Sequence, residues 1–207
     1  MTTRRRVRRS LGALDRARVL PLIVISGGVL VALGAGYAAA KGAAAVYDVF
    51  SGKSGFVTGL WSALAAFPAL SRNTKILIIA QAAHESGWGK GTAAKAGYNF
   101  WNLTAGSAWT GAITGGGDLE CDATGANCRP ITQKFRKYAS VQAAIIDYLS
   151  FLSTQNGGRY LAAYNSLIAG DATAFFTNLR AGGYYTQALN EYLAGAKGAI
   201  NTVVQYV

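Results

Sequence analysis

Glu85 is the residue of this sequence best suited to transfer a proton. It follows residues 76–83, an apolar run in which only Gln81 is polar, so we expect it in the last turn of a buried helix. Burial and the negative end of the helix dipole both disfavour an ionised carboxyl there. A carboxyl that stays protonated near neutral pH can donate to a leaving oxygen, as a glycosidase general acid must. The alternative is a helix-terminal glutamate that points to solvent.

Few other residues could take part in acid–base or metal chemistry. The chain has three glutamates, Glu85, Glu120 and Glu191, one histidine, His84, and two cysteines. This scarcity argues against four-ligand zinc sites, and neither a phosphate loop nor a nucleotide-binding fingerprint is present, so we expect no metal and no cofactor. On a helix His84 points about 100° away from its neighbour, which places it at the border of the core rather than in the chemistry.

The apolar pattern predicts the elements that position Glu85. The buried helix should begin near Asn73 and end at Gly87, and an earlier helix should run from Phe56 to Pro68. Residues 91–135 are rich in Gly, Thr and Asn, which indicates a loop with one or two short strands. Three glycines at 115–117 suggest a turn there.

Helices return in the C-terminal part of the chain. Ser140 and Asp171 are plausible N-caps, Gly182 and Gly183 should close the second of these helices, and a last helix should span residues 186–205. The expected fold class is therefore α+β: mainly helical, with a small β-hairpin lobe.

The N-terminal region has a different character. Residues 1–18 hold seven arginines against one aspartate, and residues 19–40 follow without a charge. Twenty-two residues suffice to cross a bilayer as a helix, and the arginines before them predict a cytoplasmic N-terminus. We therefore expect a basic tail, one transmembrane helix, a linker over residues 41–55 and an exported domain over residues 56–207. A cleaved signal peptide is the alternative.

Two further expectations concern partners and cross-links. An arginine-rich arm can bind nucleic acid, but the adjoining apolar segment favours the lipid bilayer as its partner. No specific nucleic acid is expected, although in a virion the tail could contact nucleic acid or capsid. Cys121 and Cys128, seven positions apart in an exported domain, suit a disulfide that closes a small loop, and two free thiols are the alternative.

Five blocks of the sequence, in order over residues 55–207, resemble glycoside hydrolase family 73, the flagellar-rod and autolysin type of N-acetylglucosaminidase. The blocks are AQAAHESGWG from Ala80, NFWNL from Asn99, FRKYAS from Phe135, SFL with the later pair Arg159 and Tyr160, and AGGY from Ala181.

This resemblance implies a lysozyme-like fold with Glu85 as general acid and a second acidic residue on the β-lobe. Glu120 fits that second position, although the nearby cysteines depart from the family pattern; Asp118, Asp122 or no second carboxylate are the alternatives. The cleft tyrosine of the family carries over to Tyr184, with Tyr185 as a rival because of an extra glycine.

Residues within or near these blocks could line a sugar-binding groove, and the alternative is that many of them fill the core. The candidates are Trp88, Asn99, Trp101, Trp109, Tyr138 and Tyr185.

The function that the resemblance implies is hydrolysis of a β-1,4 bond in peptidoglycan glycan strands by an endo-β-N-acetylglucosaminidase. A muramidase or a lytic transglycosylase would use the same fold, and a non-catalytic wall-binding or virion structural protein could retain it. Both wall remodelling from a bacterial membrane and wall entry by a bacteriophage, with the protein in a virion membrane, are compatible with the sequence.

Overall fold

A computed structural model describes residues 51–120 and 129–207, and for residues 116–120, 130 and 131 it describes the backbone only. The predicted tail, the predicted span over 19–40, residues 41–50 of the predicted linker, and Cys121, Asp122 and Cys128 lie outside the described residues. Within residues 51–120 and 129–207, every helix is too short or too polar to cross a membrane.

The buried helix that the apolar run predicts is present as α2, Arg72–Ser86. The hydroxyl of Ser71 caps its first turn by accepting from the backbone N–H of Thr74, and Gly87 ends it in the left-handed conformation that glycine adopts without strain. Its residues 76–83 are all buried, which confirms the prediction of a central helix.

Helices at both ends of the described chain pack on α2. Helix α1 spans Gly52–Leu64 and α7 spans Leu189–Val203. Helix α1 begins four residues before the predicted start, so the last residues of the predicted linker are helical. Along α7, Tyr192, Ala196 and Val203 share a buried face against the rest of the domain.

Two of the remaining helices were predicted and two were not. Helix α4, Val141–Ser153, begins at the Ser140 cap, and α6, Ala172–Ala181, begins at the Asp171 cap, as expected. Helix α3, Thr92–Gly97, is only six residues long, and α5, Leu161–Ala169, only nine, so neither displays enough turns for a clear helical period.

The sheet is one antiparallel hairpin of β1, Ile113–Glu120, and β2, Arg129–Arg136. Its register pairs Ile113 with Arg136 at one end and Glu120 with Arg129 at the other. The three glycines at 115–117 lie inside β1, opposite residues 132–134, so the predicted turn at that point is wrong. The mainly helical α+β layout is confirmed.

A buried polar cluster fastens the base of the hairpin to α4. The guanidinium of Arg136 donates to Asp147 across 2.7 Å and to the side-chain oxygen of Gln155 across 2.9 Å. The Tyr138 hydroxyl donates to the same oxygen of Asp147 across 2.7 Å. These hydrogen bonds fix the orientation of the end of β2 relative to α4.

Candidate active site

The carboxyl of Glu85 lies half-buried in the last turn of α2. Burial raises the pKa of Glu85 from its ordinary value of 4.5 to about 7, although a hydrogen bond from Tyr192 opposes the rise. The side chain is thus divided between its protonated and ionised forms near neutral pH, as the sequence predicts. The backbone oxygen of Glu85 accepts from the side-chain amide of Asn102 across 2.8 Å, which fixes the end of the helix.

The hydroxyl of Tyr192, on α7, donates to Oε1 of Glu85 across 2.5 Å. An oxygen that accepts this hydrogen bond is the less favourable place for the acid proton. In the neutral carboxyl the proton is therefore favoured on Oε2, the oxygen to which Tyr192 does not donate. Burial and the charge of Glu85 together raise the pKa of Tyr192 far above its ordinary value, so the tyrosine remains a donor throughout the physiological range.

Three aromatic rings hold Tyr192 in place. Tyr185 stacks flat on it, with ring centroids 3.6 Å apart, and Phe176 lies against it at 5.8 Å. His84 meets it edge-to-face at 4.5 Å. Tyr185 is itself fixed, since its hydroxyl donates to the backbone oxygen of Phe176 across 2.8 Å. The structure thus places Tyr185, predicted to bind substrate, as a support for the partner of Glu85.

A second layer of buried groups surrounds Gln81, which lies one helical turn before Glu85 on α2. Gln81 is fully buried and accepts a short hydrogen bond from the hydroxyl of Tyr148, whose ring stacks on Trp101 at 4.4 Å. The side-chain nitrogen of Gln81 has no hydrogen-bond partner among the described residues. Burial, and secondarily the charge of Glu85, raise the pKa of Tyr148, so this layer stays uncharged beneath the acid.

Tyr184, the predicted cleft tyrosine, belongs to the same electrostatic neighbourhood. Burial raises its pKa first, and the charge of Glu85 is the next cause. Its hydroxyl donates to the backbone oxygen of Trp101 across 2.5 Å, and its ring lies edge-on to Phe151 and Tyr160. In this arrangement Tyr184 holds the segment after Asn99 against the helical part.

Trp88 lies three residues beyond Glu85, in the left-handed backbone region with φ of 63°. Its half-buried ring meets Phe56 edge-to-face at 6.0 Å, and the ammonium of Lys53 lies over it at 5.1 Å from the centroid. An exposed lysine is readily displaced, so the ring can still offer a face to a sugar.

Three of the predicted groove residues are buried in the core of the described domain, which is the alternative that the sequence left open for them. Asn99 is fully buried, with its amide donating to the backbone oxygens of Leu103 and Arg136 and accepting from the N–H of Leu103. Trp101 is 1% exposed under Tyr148, and Tyr138 is 6% exposed with its hydroxyl in the cluster around Asp147. Little side-chain surface of these three is exposed in this structure.

Trp109 lies at the base of the hairpin. The Arg136 guanidinium is 4.9 Å from its ring centroid, Tyr138 meets it at 5.7 Å, and its indole N–H donates to the backbone oxygen of Ala112 across 3.0 Å. Its ring is partly exposed, so it borders the surface near the hairpin while it covers the buried arginine.

Glu120, the residue predicted to be the second carboxylate of the site, lies on β1. Glu120 is the last residue of the strand and pairs with Arg129, and Asp118 pairs with Ile131. Both are therefore on the β-lobe, as expected, at the end of the hairpin remote from its anchored base. Across residues 51–120 and 129–207, no group of three His, Cys, Asp or Glu side chains is arranged to hold a metal ion.

Sequence reasoning did not identify Tyr192 or Asn102, the two residues that bind Glu85. Tyr192 shares the buried face of α7, and that periodicity indicates burial but not the target of its hydroxyl. Asn102 has a positive φ of 50°, which asparagine tolerates better than most residues. Its position inside the NFWNL block was the only available signal.

Comparison with known proteins gives concordant results. A sequence model of the glucosaminidase family, described as mannosyl-glycoprotein endo-beta-N-acetylglucosaminidase, matches residues 69–203. The peptidoglycan hydrolase FlgJ of Pseudomonas aeruginosa is 33% identical over 113 residues, which are 53% of this chain and 27% of that protein. The match to FlgJ of Vibrio cholerae covers 32% of that relative, so the chain spans at most about a third of either.

Solved structures resemble the domain over most of their own length. A mutant of the peptidoglycan hydrolase from Sphingomonas sp. A1 has a TM-score of 0.57 and 28% identity, over 74% of this chain and 97% of that one. The C-terminally truncated glycoside hydrolase domain of Salmonella typhimurium FlgJ has a TM-score of 0.51 and 27% identity, over 74% and 98%. The helical fold with its two-stranded sheet is consistent with a lysozyme-like glycoside hydrolase fold.

Proposed function

The chain belongs to the glucosaminidase family of endo-β-N-acetylglucosaminidases, and from this membership we propose that it hydrolyses β-1,4 glycosidic bonds in the glycan strands of peptidoglycan. The observation that carries the proposal is the carboxyl of Glu85, whose pKa is raised to about 7 by burial while Tyr192 holds one of its oxygens. The relatives named peptidoglycan hydrolases support the choice of substrate.

Glu85 acts as general acid in this proposal. The proton on Oε2 passes to the glycosidic oxygen as the bond from that oxygen to the anomeric carbon breaks, and positive charge develops on the sugar ring. The ionised Glu85 that results keeps the hydrogen bond from Tyr192, which stabilises the new negative charge. Tyr192 therefore contributes more to the transition state than to the protonated ground state.

Glu120 is the group we propose to act on the other side of the sugar, by activating water or by stabilising the oxocarbenium-like transition state. Its support is its position on the β-lobe and the scarcity of other carboxylates, with Asp118 two residues earlier on the same strand. Parallel Glu120→Gln and Asp118→Asn variants distinguish the two, because only loss of the active group should reduce kcat by about 10²-fold or more.

The test of the activity is a digest of purified peptidoglycan by the full-length protein, with products reduced by borohydride and identified by mass spectrometry. We expect new reducing-end N-acetylglucosamine. The Glu85→Gln variant keeps the shape of the side chain but has no acid proton, so its rate should fall by about 10²–10⁴-fold.

Other products would assign another reaction. Reducing-end N-acetylmuramic acid would identify a muramidase, and an anhydro sugar would identify a lytic transglycosylase. Wild-type protein that is folded, binds the wall and releases no product between pH 4 and 8 would contradict an enzymatic role and favour a wall-binding one.

Membrane attachment is a separate proposal, supported by the uncharged residues 19–40 and the arginines before them. It places the N-terminus in the cytoplasm, or the virion interior, and the hydrolase domain outside. Full-length protein should sediment with membranes after a carbonate wash, whereas a chain that lacks residues 1–40 should not. Recovery of full-length protein in the supernatant would contradict the anchor.

A disulfide between Cys121 and Cys128 is likewise proposed from the sequence. Intact mass after alkylation, measured with and without prior reduction, tests it directly. Two alkylated thiols in the unreduced protein would contradict the cross-link.

A further inference from the structure

His84 and Glu85 are consecutive on α2, and both contact Tyr192. The imidazole of His84 meets the tyrosine ring edge-to-face, with centroids 4.5 Å apart and planes at 81°. The carboxyl of Glu85 accepts from the hydroxyl of the same tyrosine. One side chain of α7 is thus held at its ring by one residue and at its hydroxyl by the next.

Gly195 provides the space in which the imidazole lies. A Cβ atom at this position of α7 would collide with Cε1 of His84 and lie 2.9 Å from its Nδ1. Gly195 is three residues beyond Tyr192, so both contact points of His84 lie on one face of α7. At Gly198, one turn further along the helix, a Cβ would meet nothing within 4 Å.

We propose that His84 is a positioning residue for the general acid: its imidazole, seated against Gly195, holds Tyr192 where the tyrosine hydroxyl reaches Oε1 of Glu85. The inference rests on the proposed role of Glu85 and extends it to a residue outside the reacting groups. Tyr185 contacts the same ring by stacking at 3.6 Å, so the tyrosine is held both by α2 and by the segment before α7.

His84 acts here through its shape rather than its charge. Burial lowers the pKa of His84 from its ordinary value of 6.5 and so favours the neutral imidazole. The hydroxyls of Tyr148, Tyr184, Tyr185 and Tyr192 also lie at the site, and their pKa values are all raised, although the charge of Arg180 opposes the rise at Tyr185. None of them gains or loses charge between pH 5 and 9.

The direction of a pKa change separates positioning from simple packing. Loss of the Tyr192 hydrogen bond removes a group that favours the ionised carboxylate, so the pKa of Glu85 should rise. Loss of bulk at His84 would by itself admit water, relieve desolvation and lower that pKa. A rise after truncation of His84 therefore reports the hydrogen bond.

The experiment follows the carboxyl carbon of Glu85 by NMR during a pH titration of the full-length protein, which requires no catalytic activity. The chain has three glutamates, and Glu85→Gln identifies the signal. Tyr192→Phe keeps the ring and removes the hydroxyl, and should raise the titration midpoint by about one pH unit. His84→Ala and Gly195→Ala should raise it in the same direction.

Gly198→Ala is the matched control, because it adds the same methyl group to the same helix without touching His84. It should leave the midpoint unchanged. The His84→Ala/Tyr192→Phe double variant should titrate like Tyr192→Phe alone, since both changes remove one interaction.

The proposal is overturned by a midpoint in His84→Ala that is unchanged or lowered, or by effects of His84→Ala and Tyr192→Phe that add in full. If Tyr192→Phe itself leaves the midpoint unchanged, the hydrogen bond does not control the acid and the proposal also fails. Wild-type protein that shows the expected titrations without releasing sugar would refute the proposed function and leave this inference standing.

Discussion

The hydroxyl of Tyr192 lies 2.5 Å from Oε1 of Glu85 and joins residues that are 107 positions apart in the chain. This contact is one of those that link the end of the central helix to the last helix of the domain. Through it, the placement of α7 on α2 limits the rise that burial causes in the pKa of the proposed acid.

Replacement of Tyr192 by Phe should move the alkaline limb of the pH–rate profile upward. A general acid must be protonated, so activity falls as the pH rises through the pKa of Glu85, near 7. Without the hydroxyl the carboxylate loses a stabilising partner and that pKa rises, so the limb should shift by about one pH unit while the maximal kcat falls. Initial rates of wall solubilisation between pH 5 and 9 measure it, and an unshifted limb would contradict the assignment.

Glu85 should make the folded protein less stable as the pH rises. The pKa of Glu85 is raised from 4.5 to about 7 in the folded state, so the protein gains stability from it fully below pH 4.5 and loses it as the pH rises through 7. Glu85→Gln removes this dependence, and at pH 8 it should be more stable than wild type, by on the order of 2 kcal/mol, with a smaller difference at pH 4.

Urea unfolding at the two pH values measures this difference. Glu191→Gln is the control, because the Glu191 side chain is exposed and its replacement should give the same small change at both. A Glu85→Gln variant that is no more stable than wild type at pH 8 would show that burial does not disfavour the ionised form of Glu85.

The sequence predicted α2 and the environment of Glu85 because residues 76–83 leave no polar face for water, whatever the remainder of the chain does. Caps at Ser140 and Asp171 were equally local signals, since each side chain accepts a hydrogen bond from a residue three positions later. Tyr192 was beyond such reasoning, because its partner depends on how two distant helices pack.

Three residues of the predicted site are buried, and the sequence could not show this for a common reason. Asn99, Trp101 and Tyr138 lie in blocks that resemble a family of enzymes, and such resemblance does not distinguish a ligand contact from a structural one. Burial does: the amide of Asn99 is consumed by backbone groups, and the hydroxyl of Tyr138 by Asp147. The turn predicted at the glycines 115–117 was wrong for a similar reason. Their conformation depends on pairing with β2, which is a non-local interaction.

Loss of Asp147 should be strongly destabilising. Arg136 is 7% exposed, and without this partner its charge would remain buried beside an uncharged Gln155. Breaking a buried pair in this way costs about 3–5 kcal/mol. Asp147→Ala should therefore reduce the free energy of unfolding by about that amount, whereas Asp171→Ala, which removes only a helix cap, should cost about 1 kcal/mol. Equal, small losses in thermal and urea unfolding would contradict a structural role for the pair.

Gln81 and Tyr148 should behave as a coupled pair. Both are fully buried, and the hydroxyl of the tyrosine donates to the side-chain oxygen of the glutamine. Tyr148→Phe would leave the side-chain oxygen of Gln81 without its donor, and the nitrogen of the same amide already lacks a partner among the described residues. The substitution should therefore reduce the free energy of unfolding by about 1–3 kcal/mol. The Gln81→Leu/Tyr148→Phe double variant buries no unpaired group from either side chain and should be more stable than Tyr148→Phe alone. Urea unfolding at pH 5 of the wild type, both single variants and the double variant measures the coupling, and strictly additive losses would show that the hydrogen bond contributes nothing to the layer beneath Glu85.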